Sequence, residues 1–423
     1  MSSRSESWSS PAEYRIAALC VAALAVFAVS WVILNHGWFG RGQIIDTPVY
    51  ETYGDAIVAG QTPYKSFAVE YPPGALPMFV LPSLFTNAGH ADAYRHRFGL
   101  VMAVCGAALL VSLAISVTAL GFGSASAAGA LILAALAPLL LGSVVLTRFD
   151  LWPAALTAGA FAAILSGRLR LGHGLLGAAV AAKVWPGVLL PLTVAYVWRT
   201  RGRREGLVCL AVASGVVVAA VLPFFVLSPH GVWRSFERQL SRPLQIESIG
   251  AALILAAHHL FGTGATMISS RGSQNISGSF ARGVGVVQSL VELGVLVGIW
   301  VVFARRDRSR EELVRYSAAA VVAFIALGKV LSPQFLIWLI PLVPLVRRWS
   351  VALLYVAALV LTQAWFPKHY WSYALQFSPT VTGLVLARDL VLIGLLVALL
   401  RPPREAPEAR AARARPRASS SPA

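Results

Sequence analysis

The chain has 423 residues, of which 57% are hydrophobic and 13% charged, and its formal net charge is +17 at neutral pH. An ordinary soluble domain carries about 25% charged residues, so this composition excludes a water-soluble globular protein. The positive charge does not indicate nucleic acid as a partner, because the arginines form short clusters at the ends of apolar runs, where they act as orientation signals.

The apolar runs predict membrane-spanning helices, because each approaches the ~20 residues needed to cross a bilayer. Examples are 16–34, 100–120, 207–227 and 284–304. The arginine clusters between runs predict the cytoplasmic side, and they lie at 199–204, 305–310, 347–348 and 401–404. We therefore predict an all-α polytopic membrane protein with about 11 to 13 spans. The number of spans between 75 and 166 stays open. One segment there is expected to be re-entrant or split, and Pro138 is a candidate position for the break.

The orientation divides the chain into a cytoplasmic N-terminus (1–15), a membrane domain (16–400) and a disordered cytoplasmic tail (401–423). Two polar regions then lie outside, a first outer loop at 35–73 and a second outer region at 228–282. The three cysteines all lie in apolar runs, where cysteine behaves as a small hydrophobic residue, so they indicate neither disulfides nor a metal site.

The first outer loop is rich in side chains capable of chemistry. Apolar spacing predicts a short surface helix at 48–59, introduced by Asp46 and Pro48. Asp46 follows the first membrane helix, where a carboxylate is placed to accept a proton from a hydroxyl. The alternative is that Asp46 caps the helix, and the residues alone leave both open.

The first outer loop ends with Glu70 and Tyr71 before a double proline. Tyr71 suits the aromatic belt at a membrane interface. Glu70 requires either a cationic partner or a functional role. We therefore include both residues in the candidate substrate-binding set.

Two later segments share a design, in which about ten apolar residues precede a lysine and a proline follows shortly after. The lysines are Lys183 and Lys329. Each segment is too long for one span and too short for two, which predicts hairpins of short helices with the lysines at their tips. Irregular backbone at that depth lines a cavity or is buried in protein, and an intramembrane lysine indicates a functional site.

The second outer region alternates Arg and Glu and includes Arg242 and Glu247. This pattern fits a solvated ion-pair network, or a set of guanidinium groups that contact a phosphate. We find no metal-ligand spacing, glycine-rich phosphate loop or Ser-His-Asp set in the sequence. Chemistry here is expected to depend on carboxylates and cations.

These residues follow one another in an order that resembles glycosyltransferase family 87 over roughly 14 to 400. The motifs that carry the resemblance are Asp46 and Tyr50; Gly60, Pro63, Tyr64 and Phe67; Glu70 to Pro73; Lys183 and Pro186; Arg242, Glu247 and Ser248; and Lys329, Ser332, Pro333 and Gln334. The family belongs to the membrane-embedded GT-C superfamily and includes mannosyltransferases that use polyprenyl-phosphate mannose. The resemblance therefore implies a GT-C-type bundle.

The resemblance also implies that Asp46 is the catalytic base of an inverting sugar transfer. Many GT-C enzymes carry paired acidic residues at this point, whereas Thr47 follows Asp46 here. That departure favours a monophosphate donor and no metal or other cofactor. Lys183, Lys329 and Arg242 are expected to stabilise the departing phosphate, and Glu70, Tyr71, Glu247 and Gln334 complete the expected substrate-binding residues.

The expected partners are a polyprenyl-phosphate sugar, membrane lipids and an acceptor that is a glycolipid, a polysaccharide or a protein. The expected location is a bacterial plasma membrane with the active site facing outside. Two other classes remain open. A transporter or flippase also uses broken helices with intramembrane lysines, and a non-catalytic scaffold leaves the acidic outer loop unexplained.

Overall fold

The structure is a computed structural model that describes residues 11–305 and 309–402. Over these residues it is a bundle of α-helices with one two-stranded hairpin. The helices are α1 (Pro11–Leu34), α2 (Thr47–Val58), α3 (Leu76–Ser83), α4 (Ala91–Ala119), α5 (Ser124–Leu141), α6 (Val144–Thr147), α7 (Leu151–Leu165), α8 (Leu169–Ala182), α9 (Leu190–Arg201), α10 (Arg203–Leu227), α11 (Pro229–Leu240), α12 (Ile249–Phe261), α13 (Ser279–Arg305), α14 (Arg310–Leu327), α15 (Trp349–Trp365), α16 (Tyr370–Gln376) and α17 (Pro379–Leu400). The strands are β1 (Met267–Ser270) and β2 (Ser273–Ile276), and short 3-10 segments occupy Gly37–Gly40, Pro73–Ala75, Trp185–Leu189, Pro333–Leu339 and Val343–Leu345.

Six of the described helices are long and apolar enough to cross a membrane, namely α1, α4, α5, α10, α13 and α17. The bent pair α15 and α16 raises this number to seven if it forms one span. The prediction of an all-α polytopic membrane protein is confirmed. The expected count of about 11 to 13 spans also included shorter segments. Examples are α7, α8 and Pro333–Leu345, which are apolar but have only 10–17 residues.

Arginines from separate clusters meet at one end of the bundle, which we call the arginine end. Arg310 donates to the carbonyl of Ala119 at 2.9 Å, and Arg199 donates to that of Ala304 at 3.1 Å. Arg348 donates to the carbonyls of Ala398 and Arg401 at 2.9 and 2.7 Å. Cations beside the last carbonyls of a helix complement its dipole. The predicted tails 1–15 and 401–423 lie mostly outside the described residues.

The helix is broken at the lysine in both lysine-containing segments, while the predicted hairpins with the lysines at their tips stay a prediction. Helix α8 ends at Ala182, Lys183 is extended, and a 3-10 segment begins at Trp185. Helix α14 ends at Leu327, and the 3-10 segment Pro333–Leu339 follows Lys329. The predicted break at Pro138 is wrong, because α5 continues through Pro138 to Leu141. The short helices in that part of the chain are α3 and α6 instead.

The opposite end, which we call the loop end, holds the short helices and the hairpin. Helix α2 spans Thr47–Val58, within one residue of the predicted helix at 48–59. Helix α2 packs closely on α3, because a Cβ on Gly54 would lie 2.2 Å from the carbonyl oxygen of Phe79. A Cβ on Gly74 would lie within 2.6 Å of the Ala181 backbone. These close approaches hold the first outer loop against α8 and the Lys183 break.

The hairpin fixes the chain segment that precedes α12. Strands β1 and β2 pair antiparallel, and β2 also bonds to the segment before α12. Ile246 N donates to Gln274 O at 3.0 Å, and Ile276 N donates to Leu244 O at 2.9 Å. The backbone around Glu247 is therefore held by strand-like hydrogen bonds.

Candidate active site

Asp46 stands at the start of α2, and its side chain is held by a buried arginine. The carboxylate forms an ion pair with Arg148, whose side chain is 8% exposed, while the Asp46 side chain is 33% exposed. The hydroxyl of Tyr50 donates to Asp46 Oδ2 at 3.5 Å. Asp46 occupies the cap position, but its side chain makes no capping hydrogen bond. The structure thus does not show the capping role that the sequence left open for this carboxylate.

A second ion pair involves Asp150, which follows Arg148 by two residues in the loop between α6 and α7. Asp150 Oδ1 accepts a hydrogen bond from Lys183 Nζ at 2.6 Å and another from the indole of Trp338 at 2.5 Å. The Asp150 side chain is 1% exposed. We call Asp46, Arg148, Asp150 and Lys183 the inner cluster. Its two carboxylates and two cations cancel in formal charge.

Aromatic rings surround the inner cluster and bind it to the first outer loop. Tyr71 packs edge-on against Phe149 at 4.9 Å and lies 5.7 Å from Tyr50, measured between ring centroids. The Lys183 ammonium lies 4.7 Å from the centroid of Phe149, a cation–π contact. Burial raises the pKa of the Tyr71 hydroxyl, so this side chain is a neutral hydrogen-bonding group at physiological pH.

A second buried polar group surrounds Glu247. Gln245 donates to the Glu247 carboxylate, and Arg388 Nη2 donates to the Glu247 backbone carbonyl at 2.8 Å. Arg388 also pairs with Asp389 at 2.7 Å, and both side chains are fully buried. Burial raises the pKa of Glu247 to about 8, while nearby Arg388 opposes that shift. Glu247 is therefore mostly protonated at neutral pH and acts as a hydrogen-bonding group.

The remaining candidates, Glu70, Arg242, Lys329 and Gln334, lie around these groups. Glu70 and Arg242 line one cleft of about 510 Å³, which we call the arginine cleft; its other lining residues are Arg238, Gln239, Arg271 and Gly272. Lys329 Nζ donates to the carbonyl of Leu240 at 3.2 Å. Gln334 has a buried Oε1 without a hydrogen-bond partner in the described part of the chain.

Several polar residues of this region were not among the predicted site residues. They are Arg148, Asp150, Arg238, Arg271, Arg388 and Asp389. The sequence held a signal for two of these six residues. Arg388 and Asp389 interrupt the apolar run of α17, and charges inside a span indicate function. Arg148 and Asp150 lie in the stretch 75–166, where the number of spans stayed open, and the sequence assigned them no role in a site.

The model of glycosyltransferase family 87 matches residues 69–333 of this chain. The chain belongs to glycosyltransferase family 87. This family is one of the GT-C glycosyltransferases, so the resemblance seen in the sequence is confirmed. The family 87 match includes the candidates Glu70, Lys183, Arg242 and Lys329, whereas Asp46 lies before its first residue and Gln334 follows its last.

A solved structure also resembles this family 87 protein. It is the crystal structure of an Archaeoglobus fulgidus oligosaccharyltransferase tethered to an acceptor peptide, with 13% identity and a TM-score of 0.44. The alignment covers 91% of this chain and 55% of the oligosaccharyltransferase, so the chain spans about half the length of that enzyme. No curated protein sequence matches the chain.

Proposed function

We propose that the protein is a membrane glycosyltransferase that moves a sugar from a polyprenyl-phosphate donor to an acceptor hydroxyl. Family membership supports the reaction class. The observation that carries the proposal is the state of the two carboxylates in the inner cluster. Asp150 is buried and bonded to Lys183 and Trp338, whereas Asp46 keeps one third of its side chain exposed. Asp46 is therefore the carboxylate of this pair that a substrate can reach.

One accessible carboxylate suits a single displacement with inversion. Asp46 removes the proton from the acceptor hydroxyl, whose oxygen forms a bond to the anomeric carbon of the sugar. The bond between that carbon and the phosphate oxygen breaks on the opposite face, and the polyprenyl phosphate leaves with the electron pair. Arg148 holds the Asp46 carboxylate in place through the ion pair. Tyr50 and Tyr71 pack beside it and restrict water.

The finer parts of the proposal rest on the family resemblance. We propose mannose as the sugar, no metal in the reaction, and a glycolipid, polysaccharide or protein as the acceptor. We also propose that the loop end faces the outside of a bacterial plasma membrane. The support for this orientation is that the arginine clusters meet at the opposite end and that cytoplasmic loops are rich in arginine.

The test is an assay of the purified protein in nanodiscs with polyprenyl-phosphate mannose radiolabelled in the sugar, together with bacterial membrane lipids. We expect the label to move to a new product and free polyprenyl phosphate to appear in equal amount. A flippase would instead move the labelled donor between the leaflets of proteoliposomes without cleaving it. Leaflet exchange without any transfer product would overturn the proposal.

A further inference from the structure

The arginine cleft has an excess of positive charge. Three guanidinium groups, those of Arg238, Arg242 and Arg271, face one carboxylate, that of Glu70. Among residues 11–305 and 309–402, none of the three arginines forms an ion pair with a carboxylate. Arg242 Nε is buried and has no hydrogen-bond partner there. Such a cleft is complementary to an anion, which would supply the missing acceptors.

The backbone of the hairpin places Arg271 in this cleft at a conformational cost. Arg271 has φ +54° and Gly272 has φ +70°, so both turn residues are left-handed. Glycine, asparagine and aspartate are the usual residues in such a turn, and an arginine there is strained. Arg271 Nη1 donates to the Oγ of Ser241, which directly precedes Arg242 in the chain. Strained residues that persist are concentrated at functional sites.

The inner cluster has no comparable excess of positive charge. The sequence suggested Lys183 and Lys329 as phosphate ligands, but Lys183 is neutralised by Asp150. Lys329 donates to a backbone carbonyl at the end of α11. A phosphate that approached the inner cluster would meet cations already paired with carboxylates. The arginine cleft presents cations that are not.

The arginine cleft adjoins residues that lead to the inner cluster and a helix suited to contact lipid. Glu70 directly precedes Tyr71, whose ring contacts Tyr50, the neighbour of Asp46. Helix α11, which contributes Arg238 and Gln239 to the cleft, exposes Trp233 and Leu240, as a helix lying on a membrane surface does. A headgroup in the cleft would thus have its lipid chain beside α11 and its other substituent near Asp46.

We propose that the arginine cleft binds the phosphate of a lipid-linked substrate, with Arg238, Arg242 and Arg271 as its ligands. This inference rests on the proposed function, since it assigns the phosphate of that reaction to a place. A guanidinium group binds two phosphate oxygens at once. Three of them hold the headgroup and neutralise it as the sugar bond breaks.

The experiment compares the double variant R238Q/R271Q with the matched control R234Q. The substituted residues Arg238, Arg271 and Arg234 are all exposed, so folding is expected to survive. Arg234 lies on α11 outside the cleft. Binding is measured as thermal stabilisation in phosphatidylcholine nanodiscs that contain polyprenyl monophosphate, with polyprenol as the uncharged comparison. We expect the apparent Kd for polyprenyl monophosphate to rise at least about tenfold in the double variant, since two charge-assisted contacts are lost. R234Q and the polyprenol control should show no change.

A second probe distinguishes the two sources of a lipid phosphate. Phosphatidylglycerol in the same nanodiscs carries a phosphodiester, as a glycerophospholipid acceptor would. Weaker binding of polyprenyl monophosphate by R238Q/R271Q supports the donor as the source, and weaker binding of phosphatidylglycerol alone supports the acceptor. Unchanged binding of both, or an equal loss in R234Q, overturns the inference. The proposed function fails separately, if the wild-type protein binds polyprenyl monophosphate through the cleft but forms no transfer product.

Discussion

Asp46 combines two roles that are usually separate, because it is both an accessible carboxylate and the partner of a buried cation. Arg148 cannot lose its proton under physiological conditions, and its side chain is almost fully buried. A buried charge of this kind needs an anionic partner nearby. Asp46 supplies that partner while one third of its side chain stays exposed. On the proposed mechanism, substitution of Asp46 affects both stability and sugar transfer, so a pair of variants is needed to separate the two effects.

We predict that Asp46→Asn lowers sugar transfer at least ~100-fold, the usual scale for loss of a general base. Its Tm should also fall, because the Arg148 guanidinium loses its counter-charge. Asp46→Glu keeps the charge, so its Tm should stay nearer to that of the wild type while transfer remains low. The measurements are radiolabel transfer and thermal unfolding in detergent. Near-normal turnover in Asp46→Asn would remove Asp46 from the mechanism.

Glu247 provides a prediction about pH. Its pKa is about 8 in the folded protein, raised by burial, against about 4.3 in an unfolded chain. Between these two pH values the folded protein retains the Glu247 proton and the unfolded chain has released it, so folding stability falls as pH rises. The stability contributed by protonated Glu247 is full below the unfolded pKa and is lost as pH rises through about 8. Glu247→Gln removes this loss.

The stability of Glu247→Gln relative to the wild type should therefore increase from pH 5 to pH 8 by up to about 1.36 kcal/mol per pH unit and then level off. The difference in Tm between the two proteins should follow the same course. The measurement is thermal unfolding in detergent across that pH range. A constant difference in Tm at every pH would show that Glu247 is ionised throughout.

At the scale of elements, the two broken helices create the site by bringing lysines and freed backbone groups into the protein interior. Irregular backbone at membrane depth needs internal partners, and the break after α8 is held by them. Lys183 bonds Asp150 just before α7, and Asp150 also bonds Trp338 in the 3-10 segment Pro333–Leu339. One carboxylate thus connects both breaks. Because Asp150 is buried, its ion pair is a structural requirement as well as a feature of the site.

The contact between Lys183 and Asp150 reverses the stability change expected for Lys183→Met. Without an anionic partner, removal of a buried ammonium would leave stability unchanged or higher, because it relieves a desolvation cost. With Asp150 buried beside it, we expect a loss on the order of 3 kcal/mol, because breaking a buried pair leaves an unpaired charge. The double variant Lys183→Met with Asp150→Asn should recover part of the loss in thermal unfolding.

Lys329→Met is the matched control for this prediction. It removes the lysine of the second break, whose ammonium donates to a carbonyl, and its Tm should fall less. If Lys183→Met were as stable as the wild type and inactive, the ion pair would carry little energy. The phosphate role first suggested for Lys183 would then be favoured.

At the scale of the whole molecule, the two ends of the bundle differ in charge and in structure. The arginine end consists of helix termini whose carbonyls are bonded by arginines from other helices. The loop end holds the short helices, the hairpin, the inner cluster and the arginine cleft. A bundle with this asymmetry has one preferred orientation in a membrane.

We predict that a cysteine at Gln61, in the first outer loop, reacts with a membrane-impermeant maleimide applied outside intact cells. A cysteine at Arg203, in the arginine end, should react only after the membrane is permeabilised. Both positions are exposed, and the three native cysteines are buried, so background labelling should be low. Labelling of Arg203→Cys in intact cells would reverse the orientation and place the site in the cytoplasm.

The sequence by itself determined the features that depend on neighbouring residues. Apolar runs, arginine clusters, the short helix α2 and the breaks at Lys183 and Lys329 are local patterns, and each was predictable because hydrophobic length and proline chemistry act over a few residues. The order of motifs also gave the family. Asp46 was identified as a candidate because it follows the first membrane helix.

Tertiary structure alone decided how the charges are paired. Asp46 meets Arg148, and Asp150 meets both Lys183 and Trp338, the latter 188 residues away. In the sequence, Arg148 and Asp150 lie in the stretch 75–166 whose number of spans stayed open, and Arg271 belongs to none of the motifs. An ion pair forms between side chains that packing brings together, and it leaves no spacing in the chain to recognise. For the same reason, only the folded chain shows which cations are neutralised and which remain to bind a phosphate.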